Sequence, residues 1–201
     1  MADLRFTGWT SPVKVFGVQV RVHLSWLIVA LLIAWSLASG SLPMIYAGLP
    51  RGAYWAMAAM IIVGLGLSIV LHEIAHTLAG RAMGVSVDRV TLFLLGGVAE
   101  LHEEPKAPGA ELVMALAGPA FSILFGVFLA FATTWAADAG APETVVGGIG
   151  YLATLNIVLA GFNLLPAFPL DGGRVVRALV WMVSRDLERA TRLAAAIGQG
   201  F

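Results

Sequence analysis

The sequence predicts a mainly α-helical membrane protein, a multi-pass bundle with a short N-terminal surface strand and a membrane-associated β-hairpin. Three observations predict it. Hydrophobic residues make up 59% of the 201 residues and charged ones 12%, about half the ~25% of ordinary soluble domains. Four stretches are long and apolar enough to cross a hydrocarbon core, which takes about 20 helical residues. Eleven of the twelve Lys and Arg lie in alternate loops, on one side of those stretches. A soluble globule of this length cannot hide so much apolar surface. The formal net charge is zero, which leaves no electrostatic case for nucleic acid. There is no Cys, so disulfides, thiolate metal sites and cysteine nucleophiles are excluded.

Taken in order, Val13–Val22 alternates Val18, Val20 and Val22 with Gly17, Gln19 and Arg21, the period of a strand at the membrane surface. The first span is Leu24–Leu42. It begins too late and runs too long for the apolar region of a signal peptide, and no small-residue cleavage site follows it. The second span is Tyr54–Gly80. After it, Val90–Leu95 and Val98–Leu101, joined at Gly96-Gly97, form a short apolar hairpin pattern. The third span, Leu112–Ala137, holds Gly118-Pro119, a pair suited to close helix packing with a kink. Val145–Leu165 is the fourth. Gly172–Ser184 is short and interrupted by Arg174 and Arg177, so it is expected to lie at the interface. Asp186–Phe201 begins amphipathic and turns apolar at Leu193–Ile197, as the start of a further, truncated span would. All 201 residues are therefore expected to form one membrane-embedded core. By the positive-inside rule the N-terminus, the second loop and the tail are cytoplasmic. His23 and the six Trp are expected to be interfacial or packing residues.

One ionisable group interrupts the second span: His72-Glu73-Ile74-Ala75-His76. Placing a charge at such depth costs on the order of 2.5–3.5 kcal/mol per residue on insertion scales, so these residues need a purpose and a partner. Helix positions i and i+4 share a face, and two imidazoles there can converge on one metal ion. Glu73 is angled to reach a water on that metal. This is the zinc-hydrolase arrangement, in which zinc brings the water pKa to roughly 7 and the Glu takes its proton.

A catalytic zinc needs a third protein ligand. The eleven-residue extension that would supply a third His fails, because Ala82 stands at that position. Glu100 is one alternative, with His102, Glu103 and Glu104 after it in what resembles a solvated loop. Asp171 is the stronger one. It follows the fourth span in Asn163-Leu-Leu-Pro-Ala-Phe-Pro-Leu-Asp171-Gly-Gly173, among apolar residues that do not suit a free carboxylate. It also emerges on the cytoplasmic face, about five residues or ~7 Å from the depth of His76, although Glu100 is on that face too, so sidedness alone does not exclude it. Pro166 and Pro169 break regular helix there, which at membrane depth is tolerated where backbone lines a cavity or is buried.

With these residues in hand the chain resembles the site-2 protease family of intramembrane zinc metalloproteases. The match rests on His72-Glu73-x-x-His76 and on Asn163-x-x-Pro166-x-x-Pro169-Leu170-Asp171-Gly172. The resemblance implies one zinc held by His72, His76 and Asp171, with Glu73 as catalytic base. It implies a substrate-binding role for Asn163 and for the hairpin with Gly96 and Gly97, whose strand edge can accept an extended peptide. No PDZ-like insertion lies between the spans, so the resemblance is to the branch with C-terminal CBS domains. Gly118-Pro119 matches the family pattern, but Ser122 stands where many members have Asn, a change expected to leave the zinc site untouched. The implied activity is hydrolysis of peptide bonds in or near transmembrane segments of other proteins. The implied location is the cell membrane, with the site facing the cytoplasm. The partners expected are a transmembrane protein substrate and the lipid bilayer, and a homo-oligomer is compatible with the sequence. Three rival readings are a metal transporter, a prenyl-protein type peptidase using Glu100, and a catalytically dead relative acting as a membrane chaperone.

Overall fold

The computed structural model describes residues 9–15, 17–22, 24–85, 87–93, 96–101 and 105–199. His23, His102, Glu103, Glu104 and the last two residues lie outside them.

Two strands open the chain where one was expected. β1 (Trp9–Val15) and β2 (Val18–Val22) pair antiparallel, with Val15 opposite Val18. Gly17 makes the reversal at φ 76°, a left-handed conformation that costs glycine nothing. β3 (Val87–Phe93) then adds parallel to β2, and β4 (Gly96–Leu101) adds antiparallel to β3. The order is β1-β2-β3-β4. Gly96 and Gly97 do not join two strands; they are the first residues of β4, with Gly96 opposite Phe93.

Between β2 and β3 run three helical segments: α1 (Leu24–Ser36), α2 (Leu42–Ile45) and the long α3 (Arg51–Ala82). A π-helical turn, Leu37–Ser41, continues α1 into α2, so Ser25–Ile45 forms one span. After the sheet come α4 (Pro108–Asp138), α5 (Glu143–Asn163), α6 (Asp171–Ser184) and α7 (Leu187–Gln199). Four helices are long and apolar enough to cross a membrane: Ser25–Ile45, α3, α4 and α5.

Their ends differ from the hydropathy limits for physical reasons. α3 and α4 start before the apolar run, because a helix continues into the interface where hydropathy has already fallen. α4 has Pro108 at its first turn, where the missing N–H costs nothing. α5 stops at Asn163, short of Leu165, because the residue before Pro166 is driven out of helical conformation.

The outside of the bundle is apolar. Leu31, Val63, Leu124, Phe131 and Trp135 are all more than 70% exposed, as side chains facing hydrocarbon would be. The buried polar groups turn inward instead: Ser68, His72, His76, Thr77, Glu111, Ser122, Asn156 and Asp171. This inversion of the soluble pattern places the chemistry between α3, α4 and the start of α6.

Candidate active site

α3 buries Met57, Ile61, Ser68, His72 and His76. Their spacings of four and seven keep them on one face of the helix. At His72 and His76 that face packs on α4, so both histidines are buried against protein and do not point into lipid. The two rings stand edge to face, with centroids 4.8 Å apart.

Asp171 comes from another part of the chain. Pro166 and Pro169 keep the segment after α5 from continuing as helix, and Leu170 is extended before Asp171 opens α6. Gly172 permits the close approach this requires. A side-chain carbon there would overlap the carbonyl oxygens of Leu164 and Leu165. The result sets Oδ2 of Asp171 3.2 Å from Nε2 of His72 and 3.1 Å from Nε2 of His76. The two Nε2 atoms are themselves 3.1 Å apart.

This arrangement fits a metal on the chemistry of its donors. Nδ1 of His76 lies 2.6 Å from the carbonyl oxygen of Met114, which can only accept, so Nδ1 carries the hydrogen. Nε2 of the neutral ring then presents a lone pair toward Nε2 of His72 and the carboxylate. Three electron-rich atoms facing one point need a positive centre among them. A tetrahedron drawn around zinc with bonds of about 2.0 Å has an edge of roughly 3.3 Å, close to the three separations here. Burial on its own would raise the Asp171 pKa. The two imidazoles beside it outweigh burial and lower it to about 2, so the carboxyl is ionised as a ligand must be.

α4 supplies the opposite wall, and most of it was missed in the sequence. Met114, Gly118 and Ser122 are spaced by four. The Met114 carbonyl fixes His76, and Ser122 Oγ lies 2.9 Å from Nδ1 of His72. Such partners on the far ring nitrogen set which nitrogen faces the metal. Ser122 therefore belongs to the site, contrary to the expectation that its identity leaves the zinc site untouched. Gly118 lies between them. A carbon added to it would overlap Nε2 of His76 and come within 2.6 Å of Nε2 of His72. The four-residue spacing was the available signal, but spacing alone does not say which face of α4 meets α3.

The remaining expected residues are placed as follows. Glu73 is half-buried, one residue beyond His72, and among the described residues no hydrogen bond or ion pair holds its carboxylate. Asn163 ends α5, where its Nδ2 donates to the carbonyl of Leu159; it is not part of the three-residue cluster. Gly96 and Gly97 begin β4. Glu100 is in β4 opposite Arg89 in the backbone register, and its side chain lies outside the described residues.

Comparisons with known proteins agree with this geometry. The profile of Peptidase family M50 matches residues 60–149 and 135–201. The Rip3 protein of Mycobacterium tuberculosis, which carries a zinc metalloprotease name, is 44% identical over 187 residues, 92% of this chain and 47% of its own. The zinc metalloprotease MJ0392 of Methanocaldococcus jannaschii is 30% identical over 190 residues, 92% of this chain and 49% of its own. The solved site-2 protease from Methanocaldococcus jannaschii superposes with a TM-score of 0.64 at 28% identity, covering 96% of this chain and 80% of that one. The chain thus spans about half the length of the relatives it matches in sequence. Zinc is the cofactor these names carry, and the His72–His76–Asp171 group is a set that can hold it. The chain belongs to peptidase family M50, the zinc metalloproteases of the site-2 protease type.

Proposed function

We propose that this chain hydrolyses peptide bonds in or near transmembrane segments of other membrane proteins, working from the cytoplasmic side. The observation that carries the reading is the convergence of Asp171 with His72 and His76, which share with Glu73 a helix long and apolar enough to span. In this reading His72, His76 and Asp171 hold one zinc and Glu73 is the general base. When bound, zinc supplies Lewis acidity that makes a water a nucleophile and polarises a carbonyl.

The chain's own residues do the rest. The Glu73 carboxylate takes a proton from the attacking water and returns it to the leaving amine nitrogen. Among the described residues no hydrogen bond or ion pair engages it, which leaves it available for both transfers. Met114 and Ser122 hold the imidazoles in the orientation that ligation needs. Proteolysis also needs an extended substrate, because a helix uses its carbonyls in its own hydrogen bonds. β4 ends the sheet, and its outer edge from Gly96 and Gly97 onward suits a substrate strand added beside it. Asn163 is assigned to the substrate backbone. In this reading the sheet lies at the membrane, with β1 and β2 at its surface.

Zinc content and cleavage, measured side by side in detergent, test the proposal. Wild type and Glu73→Gln are expected to retain about one zinc per chain, and Asp171→Ala to lose it. Cleavage of a labelled single-span peptide should fall by at least ~100-fold in Glu73→Gln, the lower range for loss of a general base. Near wild-type cleavage in Glu73→Gln sinks the base assignment. Loss of zinc in Glu73→Gln makes Glu73 a ligand, and retention in Asp171→Ala moves the third ligand elsewhere.

A further inference from the structure

α6 is not one of the four spanning helices, yet it carries Asp171. Something other than insertion into the bilayer must fix it. Its docking on α4 includes one buried ion pair. Glu111, in the first turn of α4, is completely buried, and its Oε1 accepts from Nε of Arg177 at 2.7 Å and also from Nη2. The Arg177 guanidinium lies 5.7 Å from the centre of the Phe168 ring, a cation–π distance. Phe168 is three residues ahead of Asp171. Arg177 therefore ties together α4, α6 and the loop that delivers the aspartate.

The spacing of the contacts is informative. Glu111 and Gly118 are seven residues apart on α4, about 10 Å and nearly the same angular position. Asp171 and Arg177 are six apart on α6, about 9 Å. Gly118 lies against the histidines that Asp171 reaches, and Glu111 holds Arg177. α6 is thus held at Asp171 by the α3 histidines that Gly118 faces, and at Arg177 by Glu111 of α4, running antiparallel to α4. A second anchor of this kind stops α6 from swinging about its first residue.

Stability alone explains the pair poorly. Buried ion pairs often add no more than well-packed apolar residues would. This one also leaves Oε2 of Glu111 buried without a hydrogen-bond partner among the described residues. We propose that Glu111 and Arg177 are positioning residues, which set the Asp171 carboxylate opposite His72 and His76 by fixing α6 along α4. The proposal rests on the metal-site reading above.

Zinc affinity by chelator competition and the visible spectrum of the Co2+-loaded chain test it, with Asp171→Ala measured alongside. The variants are Glu111→Gln, Arg177→Lys, and the double Glu111→Leu/Arg177→Met, which removes both buried charges and so leaves none unpaired. The folded double variant should bind zinc 10–100-fold more weakly, the range for residues that orient ligands. Its Co2+ spectrum should shift toward that of Asp171→Ala. Arg177→Lys, which keeps the charge but not the two-nitrogen grip, should fall between it and wild type. A folded double variant with wild-type zinc affinity and spectrum overturns the proposal. So does failure of all three variants to fold, which makes the pair a requirement of folding. If Asp171→Ala itself binds zinc like wild type, the metal reading fails, whatever the pair does.

Discussion

Gly118 shows how little room the site leaves. Its α-carbon faces the Nε2 atoms of both histidines, and any side chain there enters the space between them where a metal would sit. Gly118→Ala is predicted to abolish zinc binding while the chain still inserts and folds, as read by elemental analysis and by circular dichroism in detergent. One zinc per chain in that variant would show that α4 can retreat, and that the fit of the site is loose. The hydroxyl of Ser122 and the carbonyl of Met114 act at the same scale, each one atom deep behind a ligand. His72 and His76 were legible in the sequence because two imidazoles at i and i+4 inside an apolar run have few other uses. Their supports were not, since a backbone carbonyl leaves no signature and a serine in a membrane helix has many.

Among elements, the contact between α3 and α5 depends on a polar clamp next to the site. Nδ2 of Asn156 donates to Ser68 Oγ at 3.1 Å and to its own helix at Leu152, while Ser68 donates to the Gly64 carbonyl. Ser68 is one turn from His72, so the clamp steadies the helix that carries both histidines. Interhelical hydrogen bonds in membranes average about 0.6 kcal/mol and reach ~1.7. Asn156→Ala should therefore lower stability by about 0.6–1.7 kcal/mol in a denaturant titration in detergent, with zinc content unchanged. Loss of zinc there would mean that the clamp controls ligand geometry, which the short reach of its bonds argues against. The helices themselves were read from hydropathy to within a few residues at most ends. The strands were harder. Val13–Val22 gives a period of two on both sides of Gly17, so alternation alone conceals the reversal. At Gly96-Gly97 the glycine pair mimics a turn, while both residues belong to β4.

For the whole molecule, the decisive feature is the sidedness of charge. Eleven of twelve basic residues fall in the segments before the first span, between the second and third, and after the fourth. Arg51 alone lies on the other side. This predicts that the loop between α4 and α5 is outside and the start of α4 is cytoplasmic. The chain has no cysteine, so single ones can be introduced without background. A membrane-impermeant maleimide on intact cells should label Ala139→Cys at once, and Ala107→Cys only after lysis. The reverse pattern would place the site on the outer face and overturn the cytoplasmic reading.

The sequence by itself determined that this chain belongs in a membrane, which helices are long and apolar enough to span it, and that a pair of histidines able to ligate a metal, with an acidic neighbour, sits inside one of them. Those are properties of local composition and helical period, and both survive without knowledge of neighbours. Only the tertiary structure decided how Asp171 meets His72 and His76 from some 95 positions away, and that α4 with Met114, Gly118 and Ser122 forms the opposing wall. These are contacts between segments far apart in the chain. Their geometry depends on which helix faces pack together, and in an apolar bundle many faces are equally hydrophobic. The glycines and the few buried polar groups make that choice, and their meaning appears only once the helices are in contact.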